Sequence, residues 1–458
     1  MIDLTKITIT EFIRQCKSKE IDVMSFYLKL ISYIKRRDAS LMAFQAFDEN
    51  WVLNQVQSLE ERMAGSHSSA RLYGIPMTVK DVINTRYLPT ERGSAYWKGY
   101  MAGNNARIVD LMEYEGAINL GKTVTAELAV HHPGPTRNQH NLLYSTGTSS
   151  MGSAVSVAAG MALASFGTQT GSSIIRPASY TGIFGFKPSY GTIPRTGVLK
   201  TTDTLDHVGF FANHIEDVQI LFDTFRVRGI NYPISDKMLR ERAMYNVKNI
   251  KVGIINPRYL WVNYQNYVKD QFNQFIDKLR TVLEMDVSEI EDDGFFNESH
   301  NIHNILYDKS LAYYFKKESK DKAVISQTLH SMVSHGEIIT PQEFHEALLR
   351  QERMQKDFDR KFSSFDILLT PSTANIAPKA DNYREVDDTG LIWSLLGVPS
   401  LNIPLFRGPD NMPFGLQAVG VKYSDYKILN IIENLTKIRF LQPNNEIVGA
   451  AAGINSIS

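Results

Sequence analysis

Polar and apolar positions along this chain switch between a helical period and a strand period, and the switching lays out helices and strands in turn. Thr8 followed by Glu11 reads as a capping box opening a first helix. A second helix follows, with Val23, Tyr27, Leu30, Ile31 and Ile34 at helical spacing. Lys35, Arg36 and Arg37 are placed at its end, where cations suit the helix dipole. Phe44 to Phe47 predicts a short strand. Leu72 to Val79 reads as a turn feeding a buried strand, punctuated by Gly74 and Pro76. Ala117 to Leu120 predicts a strand and Thr125 to Val130 a helix. Residues 133–148 are irregular and rich in Gly, Pro, Asn and Thr, and so long a loop in a compact domain is ordinarily functional. Gly152 to Leu163 reads as a helix of small residues, suited to close packing. Ile250 to Ile255 predicts a strand, followed by an amphipathic helix carrying Val268, Phe272, Phe275, Ile276, Leu279, Val282 and Leu283 on one face. Phe296 to Gly336 is helical and aromatic without a readable motif. Phe365 to Leu369 predicts a strand stopped by Thr370-Pro371-Ser372, and Gly397-Val398-Pro399 breaks the stretch from Ile392 to Ile403.

Strands alternating with helices predict an α/β fold, with a mixed or mostly parallel sheet covered by helices on both faces. No repeat and no linker composition divides the chain, so a single domain over residues 1–458 is expected. At 43% hydrophobic content it can bury a large core. Its net charge of zero favours neither nucleic acid nor an anionic membrane as partner. The N-terminal residues lack a signal-peptide pattern, and Ala154 to Phe166 is too short to span a bilayer, so a cytoplasmic protein is expected. The single cysteine, Cys16, excludes an intrachain disulfide and a multi-cysteine metal site, and reads as a packing residue. No His, Asp and Glu set has ligand spacing, so neither a metal nor another cofactor is expected.

Chemistry concentrates in two serine-rich turns. Ser149-Ser150-Met151-Gly152-Ser153 precedes Gly171-Ser172-Ser173-Ile174-Ile175-Arg176-Pro177, with Ser149 and Ser173 24 residues apart. Each turn alone is a weak signal. Val79-Lys80-Asp81 adds an apolar-flanked amine, which completes a hydroxyl nucleophile, a hydroxyl relay and a base. A serine hydroxyl needs a base to take its proton. His131 and His132 precede the long loop but lack an Asp partner and a Gly-x-Ser-x-Gly elbow, and read as lining or capping the site. Lys80 follows a run that carries its stem inward, although lysine is ordinarily a surface residue. Burial disfavours the charged ammonium, so a buried Lys80 can serve as a neutral base. Ser149 is then the relay and Ser173 the nucleophile. The turn Thr170-Gly171-Ser172-Ser173 can aim successive backbone N–H groups at one oxygen, an oxyanion hole. Arg176 reads either as a structural ion pair or as a clamp for a substrate carboxylate.

These residues resemble the amidase signature family. The resemblance runs from Gly74-Ile75-Pro76-Met77-Thr78-Val79-Lys80-Asp81 through Gly134-Pro135-Thr136-Arg137-Asn138 to Gly182-Ile183-Phe184-Gly185-Phe186-Lys187-Pro188-Ser189-Tyr190-Gly191, and on into Leu205-Asp206-His207-Val208-Gly209. Echoes follow at Leu368-Leu369-Thr370-Pro371, Leu396-Gly397-Val398-Pro399 and Pro413-Phe414-Gly415-Leu416-Gln417. The signature core is residues 70–210, with N-terminal helices over 8–37 and a variable, substrate-side helical region over about 296–340 and near Trp393. The resemblance implies a Ser-cisSer-Lys triad of Ser173, Ser149 and Lys80, with a cis Thr148–Ser149 bond and an acyl-enzyme on Ser173. Thr148 and Ser172 stand where relatives carry glycine. Arg176 matches a variant in which, in malonamidase, the arginine holds a substrate carboxylate.

The reading that follows is an amidohydrolase cleaving a small carboxamide, with or without a carboxylate, and homodimers are common among such relatives. Two rivals share the motifs. One is the glutaminase subunit of an aminoacyl-tRNA amidotransferase; the other is an acyl-transferring or non-catalytic protein on the same fold.

Overall fold

The computed structural model describes residues 2–59, 61, 70–131, 134–246 and 249–441. Among them, eleven strands form one sheet: β1 (Phe44–Ala46), β2 (Pro76–Lys80), β3 (Ile118–Thr123), β4 (Ala164–Gln169), β5 (Phe184–Lys187), β6 (His207–Ala212), β7 (Lys251–Ile254), β8 (Asp286–Glu289), β9 (Ile367–Pro371), β10 (Ser400–Arg407) and β11 (Pro413–Val419). Their order is β1-β3-β2-β4-β6-β5-β10-β11-β9-β7-β8. β2 runs parallel to both β3 and β4, and β7 parallel to β8 and β9, while the middle of the sheet from β4 to β9 is antiparallel throughout. The protein is thus one large α/β domain with a mixed sheet between helices, as its alternating pattern predicts. Strands β2, β3, β4, β5 and β6 are buried at every residue, which requires cover on both faces.

Local chemistry explains most element ends and also the departures from expectation. Thr8 caps the helix Ile9–Lys17 by accepting from Glu11 N at 3.2 Å, but Glu11 spends its own carboxylate on Arg14, so the box has one arm. The second helix, Val23–Leu41, runs past Lys35–Arg37 and stops where Met42 turns left-handed at φ 51°. The helix expected over 125–130 is a single turn, Glu127–Ala129. Leu128 and Ala129 both have positive φ, which a right-handed helix cannot continue through. The small-residue helix is Met151–Ala158, shorter than expected, because Gly160 at φ +67° closes it and the chain enters β4. A Cβ on Gly152 would lie 2.3 Å from Ala43 O and 2.5 Å from Val124 N, so this helix touches backbone where the sequence expects it to. The amphipathic helix is Asn266–Val282, with Val282 facing solvent and the other predicted face residues up to Leu279 buried. Cys16 is buried, and that burial pushes its thiol up to about 12. His132 and Pro133 and most of 60–70 lie outside the described residues. No helix among those described is long and apolar enough to cross a membrane.

Candidate active site

β2 ends on Lys80, and parallel pairing with β3 and β4 on either side sinks this end of the strand in the sheet. The Lys80 side chain is fully buried. Its Nζ lies 2.8 Å from Ser149 Oγ, 2.9 Å from Ser150 Oγ and 2.7 Å from Thr168 Oγ1. Ser150 Oγ donates to Thr168 O at 3.0 Å, which fixes it as an acceptor toward the amine. Every hydrogen-bond partner of Nζ is neutral. Burial therefore drives Lys80 well below the ordinary lysine value, and the charge of Asp206 offsets only part of that. A neutral amine donates twice and accepts once, which matches donation to Ser150 and Thr168 and acceptance from the Ser149 hydroxyl.

Asp81, the next residue, does not compensate this amine. Its carboxylate turns to Lys122 on β3, 3.0 Å away, in an ion pair with both side chains fully buried. Lys122 also donates to Thr90 Oγ1 at 2.8 Å. Successive residues at a strand end face opposite ways, so the Val-Lys-Asp run delivers a neutral base to one side and an ion pair to the other.

Ser173 stands on the turn between β4 and the helix Ile175–Thr181. Gln169 pins this turn: its Oε1 accepts from Ile174 N at 2.8 Å and Ile175 N at 3.0 Å. Three successive carbonyls are also held. Thr170 O accepts from His303 Nε2 at 2.9 Å, Gly171 O from Ser394 Oγ at 2.6 Å and Ser172 O from Arg176 N at 3.0 Å. With those oxygens turned outward, the N–H groups of Gly171, Ser172 and Ser173 donate to nothing among the described residues. That is the disposition an oxyanion hole needs. Burial lowers the His303 imidazole to about 4, outweighing its bond to Thr170 O, which favours the charged ring. Thr170 Oγ1 donates to Asp206 at 2.9 Å, and Asp206 also gathers the N–H groups of Thr201 and Thr202.

The structure therefore joins Lys80 to Ser149 and sets Ser173 on a prepared turn. Among the described residues, no hydrogen bond links Ser149 to Ser173. The Thr148–Ser149 bond is not cis, contrary to what the resemblance implies. Ser149 reaches Lys80 through a trans bond, which spares Thr148 a geometry that costs a non-proline residue about 3–4 kcal/mol. Ser172 fits because its neighbour is Gly390: a Cβ there would meet Ser172 Oγ at 2.0 Å.

Arg176 is buried and already paired. Its Nε donates to Asp388 Oδ2 at 2.8 Å, and its Nη1 lies 2.7 Å from Glu385 Oε2. Burial opposes the guanidinium's charge, but Asp388 and Glu385 more than restore it. Burial likewise pushes the Glu385 carboxyl up, and Arg176 and His131 outweigh it and hold Glu385 well below the usual range. His131 Nδ1 sits 2.8 Å from Glu385 Oε2, and that carboxylate raises the imidazole. His131 thus joins the Arg176 cluster, and Tyr307 bridges it to His303 by ring contacts at 6.2 and 5.5 Å. A cavity of about 220 Å³ opens beside Thr168 and Thr170, bordered by Asp206 and His207.

Ser150, Thr168, Gln169, His303, Glu385, Asp388 and Ser394 are parts of this site that the sequence did not single out. Ser150 and Gln169 adjoin the motifs and were open to being found. Thr168 directly precedes Gln169 but carries no motif signal, and His303, Glu385, Asp388 and Ser394 come from distant segments that only the fold brings in.

The amidase family pattern matches residues 27–429. Over 93% of its length the chain is 26% identical to a glutamyl-tRNA(Gln) amidotransferase subunit from Brachyspira hyodysenteriae, covering 97% of that protein. A crystal structure of an amidase superposes with a TM-score of 0.82 at 25% identity, covering 95% of this chain and all of that one. The peptide amidase of Stenotrophomonas maltophilia shares the fold, with a TM-score of 0.78 at 20% identity over 96% of this chain and 98% of that one. A buried neutral lysine on a serine, a pinned serine turn and a family match over most of the sequence lead to one conclusion: the chain belongs to the amidase signature family of amidohydrolases.

Proposed function

We propose that this protein hydrolyses the carbon–nitrogen bond of a small carboxamide through an acyl-enzyme on Ser173. The observation that carries the reading is the Lys80 amine, buried among neutral partners and 2.8 Å from Ser149 Oγ. Ser173 Oγ attacks the amide carbonyl while its proton passes to Ser149 and the Ser149 proton to Lys80. The N–H groups of residues 171–173 receive the oxyanion. Collapse expels ammonia or an amine, which takes the proton back through the same two groups. Water then attacks the ester, again deprotonated by way of Ser149 and Lys80, and frees the acid. Catalytic hydrogen bonds often tighten only with substrate bound, so the open Ser149–Ser173 link is compatible with this course.

The test is intact-mass spectrometry after treatment with a fluorophosphonate probe. A single adduct on Ser173 that is absent from Ser173→Ala supports the reading; a folded wild-type protein that takes no adduct overturns it.

A second reading has its own support. The near full-length match to glutamyl-tRNA(Gln) amidotransferase subunits favours a glutaminase component that works with partner proteins. Robust turnover of simple amides by the isolated chain argues against it. Glutaminase activity that appears only when a partner is added argues for it.

A further inference from the structure

Arg176 meets any substrate with two carboxylates of this chain already on it. Its helix opens directly after Ser173, and its Nε and Nη1 are engaged by Asp388 and Glu385 at 2.8 and 2.7 Å. The two acids belong to the segment that joins β9 to the helix Gly390–Leu395. That segment lies against the nucleophile turn: a single point above Gly390 Cα is 2.0 Å from Ser172 Oγ and 3.1 Å from Asp388 Oδ1. Glu385 is held from three sides, by Arg176, by His131 Nδ1 at 2.8 Å and by Tyr383 Oη, which donates to Oε1 at 2.6 Å. Asp388 is buried, and its Oδ1 accepts from Gly390 N at 3.0 Å.

A guanidinium binds an incoming carboxylate by presenting a free edge of two N–H groups. On this arginine, the chain's own acids sit on Nε and on Nη1, one donor from each of its two forked edges, so neither edge is left whole. The cluster sets one guanidinium against two carboxylates, and His131, its imidazole raised by Glu385, faces one of them. An anionic substrate would have to displace Glu385 or sit beside two carboxylates already paired with Arg176, and either costs affinity. Specificity against a ligand is readily built from such repulsion.

We propose that Glu385 and Asp388 close the Arg176 subsite to anions, so that this enzyme selects amides whose acyl portion is neutral and rejects those bearing a carboxylate. The selectivity deepens the amidohydrolase reading and rests on it for the identity of the ligand. It makes Glu385 a specificity-determining residue.

The experiment uses a matched pair, the diamide of a short dicarboxylic acid and its half-acid. For the wild-type protein, kcat/KM is expected to favour the diamide by about tenfold or more. Glu385→Gln keeps the shape and removes the charge, and is expected to narrow that ratio, chiefly by improving the half-acid. Asp388→Asn serves the same purpose where Glu385→Gln fails to fold. Calorimetric binding of both compounds to Ser173→Ala reads the selectivity without turnover, so a failure of the hydrolase reading does not mask it. Preferential binding of the diamide by Ser173→Ala supports the proposal. Equal or better use of the half-acid by the wild type overturns it, and so does binding of the half-acid by Ser173→Ala as tightly as the diamide, or binding of neither.

Discussion

Lys80 concentrates the chemistry of this chain in one side chain. Burial favours its neutral form in the folded protein, whereas the unfolded chain holds the proton up to the ordinary value of 10.5. Between the lowered value and 10.5 the unfolded state binds more protons, so this group's contribution to stability rises with pH across that window. The amine is a base only above the lowered value. Activity is therefore expected to climb with pH through the Lys80 titration and then level off, as a kcat/KM profile would show. Lys80→Ala is expected to lose that limb together with about 10²–10⁴ of the rate. A mutant that keeps both the rate and the limb would remove lysine from the base role. The triad candidates were legible because they adjoin Gly, Ser and Pro motifs, whose backbone requirements leave a mark in sequence. The part Thr168 plays in the cradle was not, since a buried hydroxyl leaves no periodic or spacing signal.

At the scale of elements, the two turns depend on what packs beneath them. The helix Met151–Ala158 begins directly after Ser149 and Ser150 and presses Gly152 onto the backbone of Ala43 and Val124. Gly152→Ala would force a methyl group to 2.3 Å from a carbonyl oxygen that belongs to a strand junction. The expected result is a loss of about 1–3 kcal/mol in chemical denaturation, with activity falling as Ser149 shifts. Gly390→Ala sets up a different conflict, because its methyl meets a side-chain oxygen that another substitution can remove. The single mutant is expected to lower kcat, and Ser172→Gly in the same chain to restore it, as steady-state kinetics would show. Strand existence was legible from apolar runs flanked by Gly and Pro, and so was the long loop. Element ends were less so: a pair of left-handed residues at Leu128 and Ala129 cancelled one expected helix, and Gly160 shortened another.

Across the whole molecule, the site is assembled from both ends of the sequence. Arg176 ties the signature core to the segment before the helix Gly390–Leu395 through the buried Asp388 and the partly buried Glu385. Replacing it with methionine strands both acids. The expected cost is roughly 3–5 kcal/mol in a denaturation midpoint, the penalty for breaking a buried pair. The mixed sheet was legible from the alternation of helices and strands. Its order was not, because β5 lies between β6 and β10 and no local pattern records such a pairing.

The turn that carries Ser173 has its carbonyls held by His303 and Ser394, residues 130 and more positions downstream. A growing chain that has emerged only through β6 already contains Lys80, Ser149 and Ser173, with Gln169 and Arg176 beside the turn, yet it lacks two of the three contacts that hold the turn's carbonyls outward. On the proposed mechanism, Ser173 is then fully armed only when nearly the last strands are in place, and the unfinished protein is spared a live nucleophile among its neighbours.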